Sequence, residues 1–394
     1  MPERRRFGRR RLLGGGAVAL GAAGVAGVGS AALAAGRAAP ADPGLATEPF
    51  HGVHQAGITT RPQSQVSYLA FDLRPGVGRD DLAGVLRIWT EDAARLTAGR
   101  PALADTEPEL ALRPARLTVT AGLGPGAFAA AGLDAARPEW LAPLPAFPID
   151  RLDPRWCGGD LLLQLAADEA TAVAHAARVL SRSVASLITP RWVQRGFLDA
   201  APGRTPRNLM GHLDGSGNPR PVELGPLVWL DSGPLAGGSA LVLRRIAAQL
   251  DTWDELDPAS RELAVGRRIA DGAPLSGTGE ADQPDLAATD ALGIPLIPPS
   301  SHVARARHRH PGERFLRRAY NYDDPPEPGA TSNTGMLFAA YQRDITAQFL
   351  PVQRRLAEVD ALNQWTAPIG SAVFAVLPGV AAPGDYLGQP LFER

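Results

Sequence analysis

Residues 211–219 read GHLDGSGNP, one carboxylate set among three glycines. Asp-Gly, Gly-Asn and Asn-Pro are turn formers, so a surface turn is the plain reading of this stretch. The chemical reading is a catalytic loop built around that carboxylate. A second segment, Ser301 to His310 (SHVARARHRH), alternates histidine and arginine, and Phe315 to Tyr322 (FLRRAYNY) follows it. The familiar hydrolase and nucleotide signatures are missing. The seven histidines form no HExxH, there is no GxSxG, and no P-loop is present. Gly122-Leu123-Gly124-Pro125-Gly126 lacks both a lysine and the dinucleotide spacing and reads as a turn. A single cysteine, Cys157, rules out an internal disulfide, a CxxC metal site and a CxxCH haem attachment.

The elements that must position these residues are of mixed type. Ser64 to Leu73 reads as a strand, and Asp80 to Thr97 as a helix with Leu82, Val85, Leu86 and Trp89 on one face. Ala115 to Ala121 and Asp160 to Ala166 read as strands, and Glu169 to Leu187 as an alanine-rich helix. A similar order returns: strand Ser239 to Ile246, helix Thr252 to Arg268, strand Gly335 to Tyr341, helix Asp344 to Ala361, strand Ser371 to Leu377. Two such units predict a tandem α+β protein with a boundary near residues 188 to 205. Asp271 to Ser301, rich in Pro and Gly, is too long for a plain connector. Loops of that length tend to wrap a ligand.

The chain of 394 residues is long enough for two ordinary domains, and 45% hydrophobic composition predicts that most of it is globular. All 40 basic residues are arginine, yet the net charge is only -1, which speaks against a nucleic-acid binder relying on bulk charge. The N-terminus carries Arg4-Arg5-Arg6-Phe7 and Arg9 to Arg11, then an uncharged Gly/Ala-rich stretch and Ala32-Leu33-Ala34-Ala35. These are the three regions of an export signal, and the paired arginines are similar to a twin-arginine signal. The expected layout is a signal over 1–34, a flexible lead-in over 35–47, and units over 48–195 and 196–394. Once the signal is cleaved, no stable membrane insertion is expected.

Taken together, the two site segments resemble the dye-decolourising peroxidase family. Gly211-His212-Leu213-Asp214-Gly215 fits its GxxDG motif, Ser301-His302-Val303 its ligand segment, and Leu316 to Tyr322 its arginine segment. Phe50 to Ile58, Asp150 to Pro154 with Gly158 to Asp160, Pro206 to Met210, and Gly237 to Ser239 before Arg244 to Ile246 are also similar. So is Leu362-Asn363 before Gly370 to Ala372. The match covers roughly residues 48 to 380 in order.

This resemblance implies two ferredoxin-like α+β domains with antiparallel sheets, and one non-covalent haem b per chain held mainly by the second. It implies His302 as the axial iron ligand, with an acidic partner on its other nitrogen, either Asp360 or Asp344. Asp214 would be the distal acid–base group and Arg317 the distal arginine, with Arg318 its rival. Gly215, Ser216 and Gly217 would line the haem by backbone contact. Arg307, His308 and Arg309 fall near the haem, at a turn where this sequence departs from the family. His51 and His54 would be structural or neighbours of the haem entrance, His212 a packing residue, and His175 a surface or core residue of its helix. The implied activity is a peroxidase that reduces hydrogen peroxide and oxidises bulky organic donors such as dyes and phenols. An exported protein that releases iron from haem is the alternative, and a homo-oligomer is compatible with either.

Overall fold

The computed structural model describes residues 42–326 and 328–393, so the export-signal reading lies outside the described residues. The first half runs β1 (Gln65–Leu73), α1 (Arg79–Thr97), β2 (Thr118–Leu123), β3 (Leu161–Ala167), α2 (Ala170–Ser183) and β4 (Ile188–Phe197). The second half runs β5 (Ser239–Ala248), α3 (Pro258–Val265), α4 (His302–Ala306), β6 (Leu316–Asp323), β7 (Thr334–Gln342), α5 (Phe349–Val359) and β8 (Thr366–Val376). Strand pairing is antiparallel throughout. The sheet orders are 4-1-3-2 and 8-5-7-6, the same ferredoxin-like arrangement used twice. The α+β class read from the sequence is the class observed.

The two sheets join edge to edge into one closed barrel, which the sequence reading did not anticipate. The seams are narrow. Strand β2 meets β8 only at Gly122–Val376 and Leu123–Ala375, and β4 meets β6 at Phe197–Asn321. Strands inside this closed wall are buried on both faces. In β1, Val66, Tyr68 and Ala70 join the interior cluster, while Leu69 and Phe71 pack outward under the helices. Helix α2 covers that outer face with Ala172, Val173, Ala176, Val179 and Leu180, spaced as one helical stripe.

The stretch 188–205 opens with strand β4, which ends at Phe197. One local reading changes. The helix expected over Thr252 to Arg268 is broken in two. Asp257 accepts from Ser260 N at 3.0 Å and Pro258 opens a new helix, which Gly266 ends in the left-handed region. Leu316 to Tyr322 is a strand, β6, and this decides where its arginines point.

Gln55 secures the seam between β2 and β8. Its Nε2 donates to Ala121 O at 2.8 Å and Leu377 O at 2.7 Å, and its Oε1 accepts from Ala121 N at 2.8 Å. Gln55→Ala leaves three buried backbone groups without this partner. The expected result is a loss of roughly 2–4 kcal/mol of unfolding free energy with an unchanged denaturant slope. Equilibrium urea unfolding of the two proteins checks it, and an equal midpoint refutes it.

Candidate active site

Strand β6 sends consecutive side chains to opposite faces. Arg318, Tyr320 and Tyr322 point into the barrel, where all three are buried. Arg318 donates to Thr60 O and Gln63 Oε1, so it ties β6 to the N-terminal segment. Arg317 points outward and is 26% exposed, with Nη1 3.2 Å from Asp214 Oδ1. The alternation therefore brings Arg317, and not Arg318, to Asp214.

Asp214 stands on a short hairpin docked against the outer face of β6. Residues Arg207 and Leu213 form an antiparallel bridge, and Asp214 N donates to Pro206 O at 2.8 Å. Asn208 Oδ1 accepts from Met210 N and His212 N and closes the turn. Two asparagines fasten the hairpin to the strand. Asn218 Nδ2 donates to Arg317 O at 2.8 Å while its Oδ1 accepts from Arg317 N at 3.0 Å. Asn321 Nδ2 donates to Arg207 O and its Oδ1 accepts from Leu209 N. Gly215 turns the chain at φ +133°, a conformation that side chains rarely adopt. Gly217 leaves its backbone bare beside Arg317.

The other side of the site comes from α4 and the end of α5. Ser301 caps α4 and sets His302 at its first turn. His302 Nδ1 lies 2.7 Å from Asp360 Oδ2, and Asp360 is nearly fully buried. Asp360 Oδ1 accepts from Leu362 N at 3.0 Å, and Ala361 N donates to Ser300 O, so both ends of the pair are anchored. The alternative acid, Asp344, instead caps the turn before α5 through Thr346 N and Ala347 N. Burial disfavours a charged imidazole, but the Asp360 carboxylate outweighs it and raises the His302 pKa above the ordinary histidine value. The charges of Arg317 and Asp214 also reach His302, so the two pairs lie near one another. Among the described residues Nε2 of His302 makes no hydrogen bond, and the ring is 33% exposed. No group of three His, Cys, Asp or Glu side chains converges among the described residues. One carboxylate-backed imidazole with a free nitrogen is the donor set suited to a metal whose other ligands come from a macrocycle.

The remaining histidines have other surroundings. His212 is buried against Trp253, with ring centroids 6.1 Å apart, and among the described residues neither nitrogen has a partner. Burial, with the charges of Arg207, His302 and Arg261, pulls its pKa down to about 4. His175 pairs with Asp105 at 2.9 Å under the first sheet's helices. His54 stacks on Trp229 and bonds Gly237 O, and His51 bridges to Val380. Arg307 reaches Pro284 O, and burial lowers the pKa of His308. Arg309 meets Glu313 through its backbone N–H. The sequence reading passed over Asn321, Glu280 and Arg267. Asn321 lay inside a quoted motif, but nothing in its type distinguished a hairpin clamp from a strand residue.

Two pH effects follow for the haem-free protein. His302 binds its proton more tightly folded than unfolded, so its contribution is fully present below about pH 6.5 and fades as pH rises through the raised value. Asp360→Asn removes the cause of that rise. Its destabilisation relative to wild type is expected to be greatest at low pH and to shrink as pH rises, with the His302 pKa in an NMR titration falling below the ordinary value. His212 behaves oppositely, since its folded pKa of about 4 lies below the unfolded one. Stability is lost as pH falls from about 6.5 through 4, by on the order of 2–3 kcal/mol. His212→Phe is expected to flatten that part of the stability profile, and an unchanged profile refutes the assignment.

Comparison with known proteins agrees with this arrangement. The family model described as Dyp-type peroxidase, N-terminal matches residues 55–198, and Dyp-type peroxidase, C-terminal matches 205–381. The chain is 40% identical over 366 residues to a dye-decolorizing peroxidase of Thermobifida fusca, covering 86% of this chain and 84% of that protein. It is 34% identical over 421 aligned positions to a deferrochelatase of Escherichia coli O157:H7, covering 98% and 97%. The crystal structure of a DyP-type peroxidase from Cellulomonas bogoriensis aligns with a TM-score of 0.87 at 52% identity, covering 90% of this chain and all of that one. Ferric DtpA from Streptomyces lividans aligns with a TM-score of 0.85 at 39% identity, covering 91% and 100%. With both halves matched in order and the whole fold shared, the chain belongs to the Dyp-type peroxidase family and is a peroxidase.

Proposed function

We propose that this peroxidase uses one non-covalent haem b per chain to reduce hydrogen peroxide, drawing electrons from bulky organic donors such as dyes and phenols. The observation that carries this reading is the nearness of two pairs, Asp214 with Arg317 and His302 with Asp360. In this reading His302 would hold the haem iron through Nε2, and Asp360 would make the imidazole a stronger electron donor. Gly215, Ser216 and Gly217 would line the haem, and Arg307, His308 and Arg309 would lie near it. When bound, the haem supplies the redox chemistry, accepting oxidising equivalents from peroxide and passing them to the donor.

Proton transfer falls to Asp214. Peroxide must lose a proton from one oxygen and gain one on the other, which leaves as water. A carboxylate within hydrogen-bond reach of both oxygens takes the first proton and returns it to the second. Arg317 cannot deprotonate, so it acts as a fixed charge that draws electron density toward the departing oxygen. Carboxylic acids as a class titrate below histidine, so a carboxylate in this role suits activity at acidic pH.

The paired arginines and cleavage-site residues of the N-terminus support export by the twin-arginine route, as a further part of this proposal. The deferrochelatase relative raises iron release from haem as a second reading. Haem carriage or dismantling has no evident use for a carboxylate–guanidinium pair on the open side, which favours peroxide turnover.

Rapid mixing of haem-loaded protein with one equivalent of peroxide tests the proposal. Wild type is expected to show a fast change in the haem Soret band. Asp214→Ala should slow it by about 10²–10⁴-fold, and Arg317→Leu by at least about tenfold. A wild-type spectrum indifferent to peroxide, or metal-free porphyrin as the product, overturns the peroxidase mechanism.

A further inference from the structure

The long excursion between α3 and α4 delivers a carboxylate that the mechanism above does not use. Glu280 Oε1 accepts from Ser216 Oγ at 2.8 Å and also from Thr205 Oγ1. Those hydroxyls stand on opposite arms of the Asp214 hairpin. Thr205 precedes Pro206, whose carbonyl receives Asp214 N; Ser216 follows Gly215, where the backbone has least restraint of its own. One oxygen therefore joins the two arms across the residue they present.

Glu280 is itself fixed. Arg267 Nη1 donates to Glu280 O at 2.9 Å and Gly272 O at 2.6 Å, which closes the excursion on itself. Gly272 lies against the back of the hairpin, where an added Cβ would fall 2.6 Å from Leu213 Cδ1. Contact at 213 and hydrogen bonds at 205 and 216 thus hold the hairpin from outside, while Asn218 and Asn321 hold it to β6. Charge is also matched. Burial works against the Arg267 cation, the Glu280 carboxylate favours it, and the Arg317 charge reaches it. The site balances two guanidiniums with two carboxylates.

We infer that Glu280 is a positioning residue for Asp214, acting as a hydrogen-bond acceptor that clamps Thr205 and Ser216 so the carboxylate stays aimed at the ligand site. The inference rests on the assignment of Asp214 as proton shuttle. A small displacement of a proton-transferring group is costly in rate, so the clamp should be visible kinetically.

The experiment compares haem-loaded wild type, Glu280→Ala, Glu280→Gln, Thr205→Val with Ser216→Ala, and Asp214→Ala. Two rates are read across pH: that with peroxide, and the association of cyanide with the ferric protein. Cyanide enters as hydrogen cyanide, which must give its proton to a distal base without any turnover. Glu280→Ala is expected to slow both about ten- to a hundredfold, with the donor KM unchanged. Glu280→Gln keeps an acceptor oxygen and should stay within about threefold of wild type, since the clamp needs an acceptor and not a charge. The hydroxyl double variant should resemble Glu280→Ala, and it carries the test if Glu280→Ala fails to fold or load haem. Wild-type rates in Glu280→Ala or in the double variant overturn the inference. So does Glu280→Gln as slow as Glu280→Ala, which would assign the effect to charge. If wild type ignores peroxide while the cyanide rates keep the expected order, the peroxidase mechanism falls and the clamp stands.

Discussion

The site depends on the two-residue period of β6. One strand presents Arg317 to the outside and Arg318 to the barrel interior, and each guanidinium finds a different kind of partner. Among the described residues Arg318 meets no carboxylate; a carbonyl and a glutamine side chain receive its hydrogen bonds. Those neutral acceptors lie at Thr60 and Gln63, and Gln63 in turn bonds Arg116 O and Thr118 Oγ1 in the first half. The inward arginine therefore locks β6 to the opposite half of the barrel, and by fixing the strand it fixes the outward arginine. A slip of one residue would exchange the two and lose both arrangements.

From that strand the site is assembled mainly by side chain to backbone bonds. Asp214 lies on a hairpin with little regular structure, so packing alone would not aim it. Asn218 and Asn321 do so from the strand side, where each uses both ends of its amide. Opposite, a short helix of five residues carries His302, and Asp360 follows directly on α5. A ligand imidazole on so short a helix owes its orientation to Asp360, whose burial and second hydrogen bond leave it little freedom. Both halves of the site thus put the reactive side chain on a yielding element and the restraint on a rigid one.

Much of the fold was legible in the residues. The β-branched and aromatic residues of Ser64 to Leu73 and the apolar stripe of α2 point to a strand and a helix. Barrel closure was not legible, because the seams rest on three residue pairs and one glutamine, which leave no periodic trace. The broken helix at 252–268 had its signal in Asp257-Pro258, a cap and a first-turn proline that an apolar pattern obscured. At the site, resemblance to a family brought out Asp214, His302 and Arg317. What composition and spacing left open, Arg317 against Arg318 and Asp360 against Asp344, are questions of direction, and three-dimensional pairing separates them. Glu280 was out of reach, since a glutamate in an irregular Gly/Pro-rich segment has no pattern to stand out from.

The excursion of residues 271–301 also shows why a loop of that length persists in a compact fold. Ordering it costs conformational entropy that a short connector would avoid. Its return is a restraint from outside on a hairpin that the barrel can hold only from inside. A hairpin fastened to β6 alone could still rock about the strand, because Asn218 and Asn321 both lie on that one side. Contacts at Leu213, Thr205 and Ser216 come from the other side and remove that rotation. A carboxylate that must both take and return a proton needs such two-sided support, since it has to keep one position through both transfers.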